Sequence, residues 1–127
     1  MGFNDEFRER TKKFALRVIK LYQFLNKNNE ESRVIGKQLL RSATSVAANY
    51  RASTRARSRA EFRSKLSIAL EEADESVFWL ELLIESGNMS EDKMKDLLNE
   101  AIEITKILSV SRKTIGSKKT NFSFNVY

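Results

Sequence analysis

Six cationic side chains, Arg51, Arg55, Arg57, Arg59, Arg63 and Lys65, fall within fifteen consecutive residues that hold a single acid, Glu61. Set beside a nucleic-acid backbone, such a group would displace counterions and bind phosphates with a steep salt dependence. The same residues would serve equally well as a solvated loop and first helical turn. The segment after the basic run helps to separate these readings. Glu71, Glu72, Asp74, Glu75, Glu81 and Glu85 come next, and no Lys or Arg occurs from Leu66 to Asp92. A helix here opens with bases and ends with acids, against the preference of the macrodipole for acids at the N-terminus and bases at the C-terminus. A local rule broken this consistently points to a contact outside the helix, either phosphate groups or the complementary patch of a second copy.

Other chemistries are poorly supplied. The 127 residues include no Cys and no His. Disulfides, thiol catalysis and metal sites built on imidazole or thiolate are thereby excluded, as is a di-iron bundle site with its Glu-x-x-His pairs. A carboxylate-only magnesium site is a weak alternative, so no metal and no cofactor are expected. Ser42, Ser45 and Asn49 project polar groups from the inner side of one helix. A hydroxyl nucleophile would need a base, and with no histidine present these groups read as interhelical hydrogen bonds that set register. Arg41 sits among Leu39, Leu40 and Ala43, where an unpaired charge would be costly. Its expected partner is Glu71, Glu72 or Glu75. Phe78 and Trp79 are expected in the core or in a seam between subunits. No enzymatic activity is expected.

The elements that position these groups are helical. The chain has one domain's length, 41% hydrophobic residues, four glycines and no proline, which favours a few long helices over a turn-rich sheet. Asn4 reads as an N-cap, followed by Phe7, Phe14, Val18, Leu21 and Leu25 at helical spacing. A second helix carries Ile35, Leu39, Ser42, Val46 and Asn49 on one face and is thinned by Gly36, Ala43, Ala47 and Ala48. A third shows Phe62, Leu66, Ala69, Ala73, Val77, Leu80 and Ile84, the seam of a bundle helix. Gly87 suits a helix C′ position and Ser90 an N-cap. A fourth helix then runs through Met94, Leu97, Ala101, Ile104 and Leu108 until Gly116 stops it.

No Gly or Pro occurs between Lys37 and Ser86, yet one unbroken helix over that span would be about 75 Å long, too long for a compact domain. Ser53, Thr54 and Ser58 place a turn at 53–58. The expected spans are 5–27, 31–53, 58–87 and 90–115 in a bundle covering 1–117. A tail, 118–127, alternates Phe122, Phe124 and Val126 with polar residues and is expected to be flexible or docked on a neighbouring subunit. Residues 1–13 are too charged for a signal peptide, and no apolar run approaches the length of a membrane span. A cytoplasmic protein with no membrane contact is expected. Its net charge of +6 biases it toward polyanions.

The stretch Ile35 to Leu83, IGKQLLRSATSVAANYRASTRARSRAEFRSKLSIALEEADESVFWLELL, resembles the signature of a bacterial four-helix-bundle family. Its founding members are encoded by intervening sequences inside large-subunit ribosomal RNA genes, and it is related to the accessory protein of diversity-generating retroelements. The resemblance rests on QLLRSATSVAANYRA and EFRSKLSIALEEADES occurring together at the expected spacing. It implies an antiparallel bundle that assembles as a ring-like homopentamer without known enzymatic activity. It also implies a basic surface that contacts nucleic acid and a reverse transcriptase. Many members carry Glu-Gly after the Asn of the second helix, where this chain has Tyr50, Arg51 and Ala52, losing a glycine turn and gaining charge.

The expected fold is all-α, an antiparallel up-down four-helix bundle with short loops. The expected function is a non-enzymatic, homo-oligomeric scaffold that binds RNA or DNA through the arginine-rich segment, in a ribosomal-RNA or retroelement setting. The alternative is a purely structural self-assembling protein whose basic and acidic patches pair between subunits.

Overall fold

The computed structural model describes residues 2–117, which form four helices: α1 (Phe3–Leu25), α2 (Glu30–Ser53), α3 (Arg59–Glu85) and α4 (Glu91–Ser117). Each carries a buried seam whose steps alternate between three and four residues. On α1 it runs Phe7, Thr11, Phe14, Val18 and, after half-buried Leu21, Leu25. On α2 it is Ser32, Gly36, Leu39, Ala43, Val46, Tyr50 and Ser53. On α3 it is Phe62, Leu66, Ala69, Ala73, Ser76, Leu80 and Leu83. Met94, Leu97, Ala101, Ile104 and Leu108 continue the pattern on α4. A mean step of about 3.5 residues keeps one face toward its neighbours along a whole helix, the condition for bundle packing.

Cross-helix contacts set the directions. Tyr50 donates to Asn4 at 3.1 Å, while Gly36, earlier in α2, lies against Tyr22 and Leu25, later in α1. Ser32 bonds Asn88, just beyond α3, at 2.9 Å, and Ser42 bonds Ser76 at 2.9 Å. Arg10 meets Glu100 and Arg17 meets Asp96, which joins α1 to α4. In each pair one index rises as the other falls, so neighbouring helices run antiparallel.

Several local expectations change. Asn4 lies inside α1 rather than capping it; Gly2 holds the cap position without a side-chain bond, and the Asn4 amide oxygen accepts from Tyr50. The side-chain caps are Asn29, which accepts from the Ser32 N–H at 2.8 Å, Ser58, which accepts from the Glu61 N–H at 3.0 Å, and, as expected, Ser90, which accepts from the Lys93 N–H at 3.4 Å. The later part of the α3 seam runs through Ser76 and Leu83, with Val77 and Ile84 only half-buried. Hydropathy favoured the apolar pair, but the Ser76 hydroxyl has a carbonyl and a hydroxyl within reach and costs little when buried. On α2, Ile35 and Asn49 likewise flank the seam that Gly36, Ala43 and Tyr50 occupy. Helix α4 continues through Gly116 to Ser117. The tail 118–127 lies outside the described residues. No described helix is long and apolar enough to cross a membrane.

The turn at 86–90 has a clear local cause. Gly87 takes φ 80°, which L side chains rarely adopt, and the N–H groups of Asn88 and Met89 return to the Leu83 carbonyl at 3.1 and 3.0 Å. The Asn88 amide oxygen then accepts from both Asn29 and Ser32, tying this turn to the start of α2.

Gly36 marks a close approach of α1 and α2. A Cβ there would stand 3.1 Å from the Tyr22 ring and 3.2 Å from a Leu25 methyl. A branched side chain cannot be absorbed without moving the helices apart. Gly36→Leu is expected to lower unfolding free energy by about 1–3 kcal/mol, measured by urea denaturation. A variant at least as stable as the parent would show that this approach is not tight.

Candidate nucleic-acid interface

The basic segment straddles the link between α2 and α3. At its start Ser53 and Thr54 turn their hydroxyls back onto the carbonyls of Tyr50 and Arg51, at 2.6 and 2.7 Å. The Arg55 and Ala56 N–H groups bond the Ala52 and Ser53 carbonyls, so the chain tightens as it leaves the helix. Ala56 is buried and joins the core cluster, which pins the loop down. Arg55 and Arg57, on either side of it, are therefore held outward and exposed. The chain then extends at Ser58, whose hydroxyl caps α3. These local bonds end one helix and start the next without a glycine or proline.

The six predicted cations do not share one face. Arg51, Arg55, Arg57 and Arg63 are exposed, whereas Arg59 and Lys65 are half-buried. Arg63 and Lys65, two residues apart on α3, project about 160° apart around its axis. Lys65 stands on the flank of Glu72, seven residues on, which faces α2. Arg51 and Arg55 instead line a cleft of about 410 Å³ between α1 and α2. Its opposite wall carries Arg8, Glu9 and Lys12, and Ala47 and Ala48 lie at its base. Arg8 is paired with Asp5 at 2.8 Å. Lys12, Arg51, Arg55, Arg57, Arg63 and Lys65 have no acid within ion-pair distance among the described residues.

A second polar cluster lies farther along the α2–α3 seam. Arg41 Nη1 contacts both oxygens of Glu72, at 3.2 and 3.0 Å, and Nη2 bonds Glu75. Glu71 points into solvent. The Trp79 indole N–H donates to Glu75 Oε1 at 3.0 Å. Trp79 is thus half-buried beside an ion pair and packed against the core cluster, whereas its neighbour Phe78 is 51% exposed and stands outside it. Ser42 is fully buried and bonds across to Ser76. Ser45 and Asn49 bond each other within α2 instead of bridging to another helix, which corrects their expected role. Among the described residues no group of three acids is placed to hold a metal ion.

Residues 4–110 match the family described as 23S rRNA-intervening sequence protein. The chain belongs to that family. A crystal structure at 1.70 Å, of a protein with unknown function from the S23 ribosomal protein family of Bacteroides thetaiotaomicron VPI-5482, is similar to it. The two are 41% identical with a TM-score of 0.79, over 87% of this chain and 98% of that one. Among curated proteins no match is found.

In this member of the 23S rRNA-intervening sequence family, sequence reading missed Arg8 and Lys12. Both belong to a helix whose charges are mixed, so no run announced them. Their spacing of four residues on α1 matched that of Arg51 and Arg55, but nothing local shows that the two pairs face each other.

The carboxylate of Glu75 is held below its ordinary value of 4.5, first by the Trp79 N–H and then by Arg41, with partial burial opposing both. A depressed pKa means the stabilisation is fully present above pH 4.5 and is lost as pH falls through the lowered value. With Glu75 35% exposed, the contribution stays below about 1 kcal/mol. Trp79→Phe should move the Glu75 titration, followed by NMR, back up toward 4.5. No movement would remove Trp79 as a cause.

Proposed function

We propose that this protein is a non-enzymatic, self-assembling scaffold that binds RNA or DNA through the basic end of its bundle. The observation that carries the proposal is the exposure of Arg51, Arg55, Arg57 and Arg63 at one end, without acidic partners among the described residues. Arginines held outward by a buried Ala56 and a capped helix present a charge surface ready for phosphates. Membership of a family named for ribosomal RNA intervening sequences is consistent with a nucleic-acid partner. The lack of any His or Cys supports a binding role over a catalytic one.

A second reading has its own support. Glu71, Asp74, Phe78, Glu81 and Glu85 are all exposed and recur at steps of three and four along α3, an acidic stripe with one aromatic at its centre. The basic end of one copy pairing with this stripe on the next would make a head-to-tail contact able to close into a ring.

The two readings separate in one experiment. If about four phosphates are neutralised, a fourfold rise in salt should weaken RNA binding, followed by fluorescence anisotropy, by roughly two orders of magnitude. The triple variant Arg55→Ala, Arg57→Ala, Arg63→Ala should lose most of the affinity while keeping its native mass in light scattering. Binding that ignores salt, or no binding at low salt, overturns the nucleic-acid role. Loss of the oligomer in the triple variant would favour the structural reading.

A further inference from the structure

The cleft between α1 and α2 is built differently from the loop beside it. Arg8 and Lys12 stand one turn apart on α1 and line one wall, and Arg51, near the end of α2, and Arg55, in the turn that follows it, line the other. Between them the α2 surface shrinks to Ala47 and Ala48, so the base of the cleft is little more than backbone. On the inner side Phe7 and Tyr50 meet edge to face at 4.8 Å and fill the space between the helices. Both rings belong to the buried core, whereas Lys12, Ala48, Arg51 and Arg55 of the cleft lining are exposed. Cations that face one another across a concave surface focus a positive potential there. Glu9 is the one acid on the lining and Asp5 pairs with Arg8 from beside it, so Lys12, Arg51 and Arg55 carry the uncompensated charge.

We infer that this cleft grips the phosphodiester backbone of a single nucleic-acid strand, with successive phosphates lying between the two cationic walls. The inference rests on the proposed nucleic-acid role and adds to it a place and a strand form. Arg8 and Lys12, four residues apart on α1, are separated by about 6 Å along its axis, an interval suited to successive phosphates of an extended strand, while Arg51 and the turn residue Arg55 supply the cations of the other wall. The guanidinium forks of Arg51 and Arg55 match phosphate oxygens in pairs, Lys12 adds a point charge, and Arg8 joins them by exchanging its Asp5 contact for phosphate. The alanine base lets one strand settle between the walls. A cleft of about 410 Å³ has room for a segment of one strand and not for a duplex.

The test uses the full chain, a labelled oligouridylate and a hairpin RNA of equal length, with anisotropy read across a salt series. Lys12→Gln should weaken oligouridylate binding several-fold and reduce the salt slope by about one. Ala48→Glu places bulk and negative charge at the base of the cleft from an exposed position, and should cost about tenfold or more in affinity. Glu9→Gln should strengthen binding by about two- to threefold. Lys95→Gln, on exposed α4 surface away from the cleft, should leave binding unchanged. The hairpin should bind more weakly and be indifferent to Ala48→Glu. Thermal unfolding controls for misfolding, and Lys12→Gln and Glu9→Gln still decide the matter if Ala48→Glu unfolds. If oligouridylate binds but Lys12→Gln and Ala48→Glu behave like the parent, the cleft assignment falls while the nucleic-acid role stands. If the parent binds neither RNA at low salt, both fall. Equal losses on strand and hairpin would overturn the single-strand form.

Discussion

The close approach of α1 and α2 governs much of what the molecule presents to its surroundings. At one end Gly36 lets the helices come together, with Tyr22 and Leu25 packed where a side chain would otherwise stand. At the other end the rings of Phe7 and Tyr50 sit between them. A pair of helices tight at one end and wedged by aromatics at the other, with alanines on the outer flank, leaves a cleft on the outside. The charges that line the cleft come from both helices, and their opposition follows from this packing.

The rest of the bundle is held in register by polar contacts that would be costly if mispaired. Ser42 and Ser76 meet at 2.9 Å in the fully buried α2–α3 seam. A slip of one residue would leave both hydroxyls facing apolar neighbours. Ser32 and Asn88 make the equivalent tie at the start of α2. The Arg41 cluster sits nearer the surface, where Arg41 remains 49% exposed, so it contributes orientation more than stability. Together these contacts fix how α3 meets α2, and hence where the loop at 54–58 and its arginines emerge.

The charge order of α3, basic first and acidic later, has a partial explanation in its cap. Ser58 and Glu61 supply an acceptor and an acid to the first turn, which answers the exposed N–H groups of that terminus despite the nearby arginines. Arg57 and Arg63 face outward. Farther along, Glu72 and Glu75 are used by Arg41 and Trp79, whereas Glu71, Asp74, Glu81 and Glu85 are exposed. One helix thus has an inner acidic flank that serves the fold and an outer one available for contact.

Sequence alone determined the helical class, the main seam residues and the lack of His and Cys, because period and composition are properties of the chain taken in order. Phe14, Leu39, Leu66, Ile104 and Leu108 are buried in the fold as their spacing requires. It was less able to place polar residues, since whether Ser76 is buried or Asn49 turns back on its own helix depends on what stands opposite. It also grouped six cations by adjacency, when helical geometry sends Arg63 and Lys65 to different sides. Only the tertiary structure decided that Arg51 and Arg55 face Arg8 and Lys12. Residues distant in sequence become neighbours there because α1 and α2 pack against each other in antiparallel directions, which no run of adjacent residues encodes.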